Sequence, residues 1–237
     1  MRLFPVWFLI LALLSSCVGP YALQHSLSEY KVPLDYIFDS KPDTIKGDYQ
    51  IYLKVIDNLS LNDTTKVTED GFLVVPLIIA GGYKHDFTVT LGKKSVQPSF
   101  SEFIYNSFQT EVKRSGDFNI KEKSFRSDYI IEMNLLDCQI STQYHKDRIR
   151  YGRSSKENWI LNPITGIFKI EVQLLEKKKV IFNKTYSSTK SSQLDKQRFN
   201  SETEMNTKMM EDFAKTASLE IKEIVEATIM DINELLK

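Results

Sequence analysis

The stretch FKIEVQLLEKKKVIFNKTY, residues 168–186, decides the fold class. Phe168, Ile170, Val172 and Leu174 alternate with polar neighbours, the period-two signature of a strand with one buried face. After the charged run from Glu176 to Lys179 the chain returns through Val180, Phe182 and Tyr186. Two strand patterns joined by so short a polar run make a β-hairpin, with Lys177, Lys178 and Lys179 at its tip. These lysines read as a solvated turn, with contact to lipid headgroups as the less favoured alternative.

Downstream, Ser201 and Glu204 have the spacing of a capping box, in which the serine oxygen accepts an orphan N–H of the first helical turn. Met209, Phe213, Ala217, Ile221, Ile224, Thr228 and Ile232 then mark one stripe of a long terminal helix, predicted to pack on the sheet. Upstream, Asp128 to Ile140 reads as a longer strand, with Tyr129, Ile131, Met133 and Leu135 on one face and Ile130 and Leu136 on the other. Phe118 to Lys121 is a short strand candidate. Ser99 and Glu102 after Pro98 give another capping box, and Phe100, Phe103, Ile104, Phe108 and Val112 form the apolar face of the helix it starts. Gly116 is placed to end that helix in the left-handed conformation.

Further toward the N-terminus, Phe87, Val89 and Leu91 alternate, and Gly81-Gly82 reads as a turn. Phe72 to Ala80 is apolar with Pro76 inside it; it is either a buried strand with an edge or bulge at the proline or a membrane-lying segment, and the strand is favoured. The polar stretch from Asp57 to Asp70 separates it from the strand pattern of Tyr49, Ile51, Leu53 and Val55. Strands, a helix, more strands and a final helix predict an α+β fold. Its sheet is mixed or antiparallel, with a capped central helix and a long C-terminal helix packed on one face.

The N-terminal residues carry a different message. Arg2 precedes an uncharged apolar run from Leu3 to Leu14, the n-region and h-region of a secretory signal, too short to span a bilayer at about 20 residues. Leu14-Ser15-Ser16-Cys17 closes it and resembles the lipobox of bacterial lipoproteins. The resemblance implies cleavage before Cys17, lipid on its sulfur, and a chain anchored to a membrane. Residues 1–16 are then the signal peptide, 17–47 a lipidated tether packing loosely on the body, and 48–237 a single α+β domain.

The other cysteine is Cys138, so with Cys17 alkylated no internal disulfide can form. Without Arg2 the chain has 30 basic against 31 acidic residues, and this balance gives nucleic acid no electrostatic footprint. Val18, Gly19 and Pro20 follow the cysteine, with neither an adjacent aspartate nor an acidic cluster. That predicts the outer membrane, on its periplasmic face.

From about Phe87 onward the chain is similar to small envelope lipoproteins grouped around the lipopolysaccharide-assembly lipoprotein and the auxiliary lipoproteins of ABC-type envelope transporters. The resemblance rests on the helix from Phe100 to Arg114, on Ser127-Asp128-Tyr129-Ile130-Ile131 leading into a strand, on the hairpin from Ile167 to Tyr186, and on the terminal helix. It implies binding rather than catalysis, with an envelope transport protein as partner. The alternative is a periplasmic carrier that shields a lipid or other apolar ligand.

A search for chemistry agrees with a non-enzymatic reading. The three histidines, His25, His85 and His145, have no Gly-x-Ser-x-Gly elbow to serve, and no His or Cys pair has metal-ligand spacing. Gly92-Lys93-Lys94 lacks the rest of a phosphate loop. Asp35, Asp39 and Asp43 straddle Pro42 and read as loop charge, and Cys138 reads as a small buried residue. No catalytic residue, metal or cofactor is expected. The best contact candidate is a basic aromatic segment, Tyr144, Lys146, Arg148, Arg150, Tyr151 and Arg153, with Trp159 beyond. It is either a solvated loop or extended hairpin, or a surface meeting lipid phosphate or an acidic partner.

Overall fold

The computed structural model describes residues 31–37, 49–60, 64–74, 80–115, 118–151, 154–192 and 196–237. The chain divides into Met1–Lys31 and Val32–Lys237, and every element below lies in the second unit. The signal sequence, Cys17, Pro76, Gly116 and Arg153 fall outside the described residues. The protein is α+β, as its periodicities predict.

One strand organises the sheet. β7 (Tyr129–Tyr151) is 23 residues long and shares its first part with β2 (Gln50–Asp57) on one side and β9 (Thr165–Glu176) on the other. Its second part is flanked by β4 (Ala80–Leu91) and β8 (Ser154–Leu161). β2 runs parallel to β7 and the other three antiparallel, so the sheet is mixed. β10 (Lys179–Ser191) adds to β9, β6 (Asn119–Ile120) to β2, β3 (Thr64–Val74) to β4, and β11 (Gln197–Phe199) to β8. At about 3.3 Å per residue β7 spans about 75 Å, and both halves of the sheet hang on it.

A bulge at Leu136 decides which side chains of β7 face inward. The register shifts between Leu135 and Asp137, so Ile131, Met133 and Leu135 are buried before it and Cys138, Ile140, Thr142 and Tyr144 after it. An extra residue in a ladder reverses the alternation, and Leu136 itself is left 43% exposed. Without the bulge the apolar residues of the second part would point away from the core.

Both described helices cover one face. In α1 (Phe100–Ser115) the Ser99 hydroxyl accepts the Glu102 N–H at 3.3 Å, and Phe100, Phe103, Ile104, Phe108 and Val112 are buried. Phe100 meets Phe168 of β9 edge-on, with centroids 5.5 Å apart. In α2 (Glu202–Leu236) Ser201 accepts the Glu204 N–H at 3.2 Å, and all seven residues of the predicted stripe are buried. Each large apolar side chain so buried contributes about 1.5–3 kcal/mol. No described helix is long and apolar enough to cross a membrane.

The β9–β10 hairpin forms as read, closed by Lys177 and Lys178 with φ of 48° and 71°. Positive φ at both central residues matches the right-handed twist of the flanking strands. Other expectations change. Gly81 and Gly82 are not a turn but part of β4, opposite Val74 and Leu73. β3 begins at Thr64, inside the polar stretch expected to be a connection, because the sequence from Thr64 to Asp70 has no apolar alternation to leave a periodic mark. The N-terminal segment expected to pack loosely is fixed over Val32–Ile37. β1 (Val32–Pro33) pairs in parallel with β5 (Val96–Gln97), Val32 and Leu34 are buried, and the Ile37 N–H donates to Ser218 Oγ at 2.7 Å.

Candidate contact surface on the sheet extension

The basic aromatic segment is not a solvated loop but the first arm of an extended hairpin, pairing antiparallel with residues 154–161. Residues 144–151 form the second part of β7, held between β4 and β8. This register places Lys146 opposite Trp159 and Arg148 opposite Glu157. Strand alternation sends Tyr144, Lys146 and Arg148 to the helix-covered face and His145 and Asp147 to the other.

That geometry corrects the role of Tyr144, which was expected to meet a partner. Its ring is fully buried, stacked on Phe87 with centroids 4.6 Å apart and tilted against Trp159 at 6.2 Å. Burial, with Glu202 as a lesser cause, pushes its hydroxyl well above the usual phenol range. The Leu136 bulge explains the misplacement, since it turns Tyr144 to the same inward face as Ile140. Tyr144 is a core residue.

The cations beside it are half-buried and paired. Lys146 Nζ lies 4.6 Å from the centre of the Trp159 ring and 3.4 Å from Glu157 Oε2, while Arg148 Nε is 3.5 Å from Glu157 Oε1. Two cations therefore share the Glu157 carboxylate. Glu202, at the start of α2, has a carboxyl held above its ordinary value by burial, with Lys146 opposing and Glu157 adding to the shift. Arg150 and Tyr151 continue the strand in register with Ser155 and Ser154.

On the opposite face the sheet assembles a group that no sequence motif announces. His145 Nδ1 contacts Asp86 Oδ1, its cross-strand neighbour on β4, and the Asn162 side-chain amide lies 3.2 Å from His145 Nε2. With the amide donating to Nε2, Nδ1 carries the proton and donates to Asp86. Residues 86, 145 and 162 meet only through register, so no spacing rule could have found them. The carboxylate orients the ring, and Asn162 occupies the nitrogen a base would use.

A second polar group lies under α2. Glu220 is fully buried where the helix crosses β9 and β10, and its Oε1 accepts the Lys190 backbone N–H. Its Oε2 has no hydrogen-bond partner among the described residues. Burial raises its carboxyl above the ordinary value, against the lowering effects of Ser188 and Lys190. A cavity of about 340 Å³ opens between the C-terminal turns of α1 and α2, with Glu111, Arg114, Glu226 and Lys237 among its lining residues. Beside it Tyr36 donates to Glu111 at 3.1 Å and Arg114 also binds that carboxylate.

Fold and surface together define an α+β protein with, among the described residues, two helices on one face of a long mixed sheet and a charged, half-buried patch on the sheet's extension. No protein-family model matches the chain, and no curated protein matches it. It is similar to the protein XCC0632 from Xanthomonas campestris, whose crystal structure is assigned to the family DUF330. The identity is 12%, the TM-score 0.44, and the match covers 85% of this chain and 94% of that one.

Proposed function

We propose that this protein is a non-catalytic lipoprotein of the bacterial envelope, anchored through lipid on Cys17 and serving as an accessory or assembly factor of an envelope transport machine. The observation that carries the reading is Leu14-Ser15-Ser16-Cys17 at the end of the apolar run from Leu3. Two or three acyl chains hold a protein on a bilayer, because each buried CH₂ contributes about 0.8 kcal/mol. The outer membrane, periplasmic face, is the proposed address. The partner contact is assigned to the cations of the sheet extension, Lys146, Arg148 and Arg150, with Tyr151 and Arg153.

The space between α2 and the sheet does not favour the carrier alternative. At Gly166 of β9 the helix comes so close that an added Cβ would lie 3.0 Å from Thr216 Cγ2. The cavity between the helix ends is lined by charge, whereas a site for an apolar ligand is lined mostly by apolar side chains.

Replacing Cys17 with alanine tests the anchor. Metabolic labelling with a clickable fatty acid should mark the parent and leave the Cys17→Ala chain unmarked as a larger precursor; a labelled variant refutes the reading. Cross-linking in membranes should return a transport or assembly component, and repeated failure to do so counts against the accessory role.

A further inference from the structure

Tertiary pairing gathers distant exposed groups at the end of the sheet where β7 begins. Tyr129, the first residue of β7, stands opposite Glu176, and Glu176 opposite Lys179, so the hairpin tip lies beside the start of β7. Just before that start is a single 3₁₀ turn, Ser124–Arg126. It joins the edge of β2 through the Asp128 N–H, which donates to the Gln50 carbonyl at 2.8 Å. The C-terminus of α2 reaches the same place, with the Tyr49 hydroxyl donating to the Leu236 carbonyl and the Tyr49 ring edge-on to Tyr129 at 6.0 Å.

This end exposes apolar side chains that the fold does not use. Phe125 at the crown of the turn is 75% exposed, Val180 46% and Ile181 36%. A register shift between Val180 and Phe182 inserts Ile181 as the extra residue of β10. Cations surround them. Lys123 and Arg126 flank the Phe125 ring at 5.8 and 5.5 Å from its centre, and Lys177, Lys178 and Lys179 crown the hairpin. With Lys121 they outnumber the nearby acids Glu122, Asp128 and Glu176 by two to one. Among the described residues no ion pair engages the three tip lysines. At the helix end the exposed Leu235 adds apolar surface, while Glu234 and Lys237 offset each other.

We propose that this end of the body, led by Phe125, Val180 and Ile181 and ringed by Lys123, Arg126 and Lys177–Lys179, docks on an anionic lipid surface. Charge selects that occupant. A protein interface of this size would place an acidic counter-surface against the lysines and desolvate them. An anionic bilayer leaves the ammonium groups in the wet headgroup layer while apolar tips enter the acyl boundary. Each lysine near such a surface shifts partition about fivefold. The docking does not depend on the lipid anchor, since it uses only surface residues of the described body.

The test uses full-length protein reconstituted on vesicles, with Phe125→Trp as a reporter of depth. Acyl-brominated lipid in vesicles of phosphatidylcholine with phosphatidylglycerol should quench the emission that Trp at 125 adds over the parent, and pure phosphatidylcholine vesicles should not. Lys177→Asn with Lys178→Gly removes two charges while suiting the left-handed turn, so folding is kept and docking on the anionic vesicles should fall about 25-fold. Flotation of the parent with neutral vesicles reads the anchor separately, so failure of either reading is distinguishable. Emission at 125 that stays open to aqueous acrylamide on anionic vesicles overturns the proposal. Shielding found only in native membranes also overturns it and assigns this end to a protein partner.

Discussion

α2 approaches the sheet closely at Gly166, and Gly166→Ala measures how tightly that layer is packed. An added Cβ would lie 3.0 Å from Thr216 Cγ2, 3.1 Å from Glu220 Oε1 and 3.2 Å from Glu220 Cγ. Glu220 cannot move aside freely, because its Oε1 holds the Lys190 N–H in a buried site. Overpacking of this kind costs about 1–3 kcal/mol. Replacing glycine in a strand returns about 0.5–1 kcal/mol of chain entropy. At mid-range the expected net loss is therefore about 1 kcal/mol. In urea titration the midpoint should fall with an unchanged slope, since the surface exposed on unfolding stays the same. Thr216→Ser removes the methyl group that the new Cβ meets, so the double variant should lose less than the sum of the singles. A Gly166→Ala protein as stable as the parent, or strict additivity with Thr216→Ser, refutes the packing argument.

Three further outcomes follow from the same geometry. Lys177→Asn with Lys178→Gly should raise stability by about 1 kcal/mol, because both positions have positive φ that lysine adopts at a cost; calorimetry showing no rise in Tm contradicts this. Glu220 has a raised carboxyl, so its contribution is present below the unfolded-state value and is lost as pH rises through the folded-state value. Glu223 is lowered by Lys190 and Ser188 and acts oppositely. The difference between Glu220→Gln and parent stability should therefore shift in favour of the glutamine as pH rises, and a pH-independent difference in urea midpoints refutes it. Changing Arg148, Arg150 and Arg153 together to serine should leave the protein folded, because the backbone ladders of β7 to β4 and β8 do not depend on these side chains and the ion pair of Arg148 with Glu157 contributes about 1 kcal/mol at most. It should also weaken capture of an acidic partner and flatten its salt dependence. Unfolding of that variant, seen by circular dichroism, would show that these arginines hold the extension together.

What could be read from the sequence is what is local. Periodicity gave the β9–β10 hairpin and the stripe of α2 from Met209 to Ile232, and the Ser99 and Ser201 caps marked where the helices begin, because these signals act within a few residues. The proposed reading of Leu14–Cys17 as a lipobox is equally local, and the labelling of Cys17→Ala tests it. Tertiary structure decided the rest. β3 has no apolar row to announce it, and Gly81-Gly82 reads as a turn until β3 supplies the backbone partners that make it a strand. The bulge at Leu136 reverses inside and outside for the rest of β7, turning Tyr144 from a surface candidate into core. The meeting of Asp86, His145 and Asn162 was likewise hidden, as was the gathering of Phe125 with the hairpin lysines. Such neighbours are set by the register between strands far apart in the chain, and register is fixed by the packing of the whole face rather than by any window of sequence.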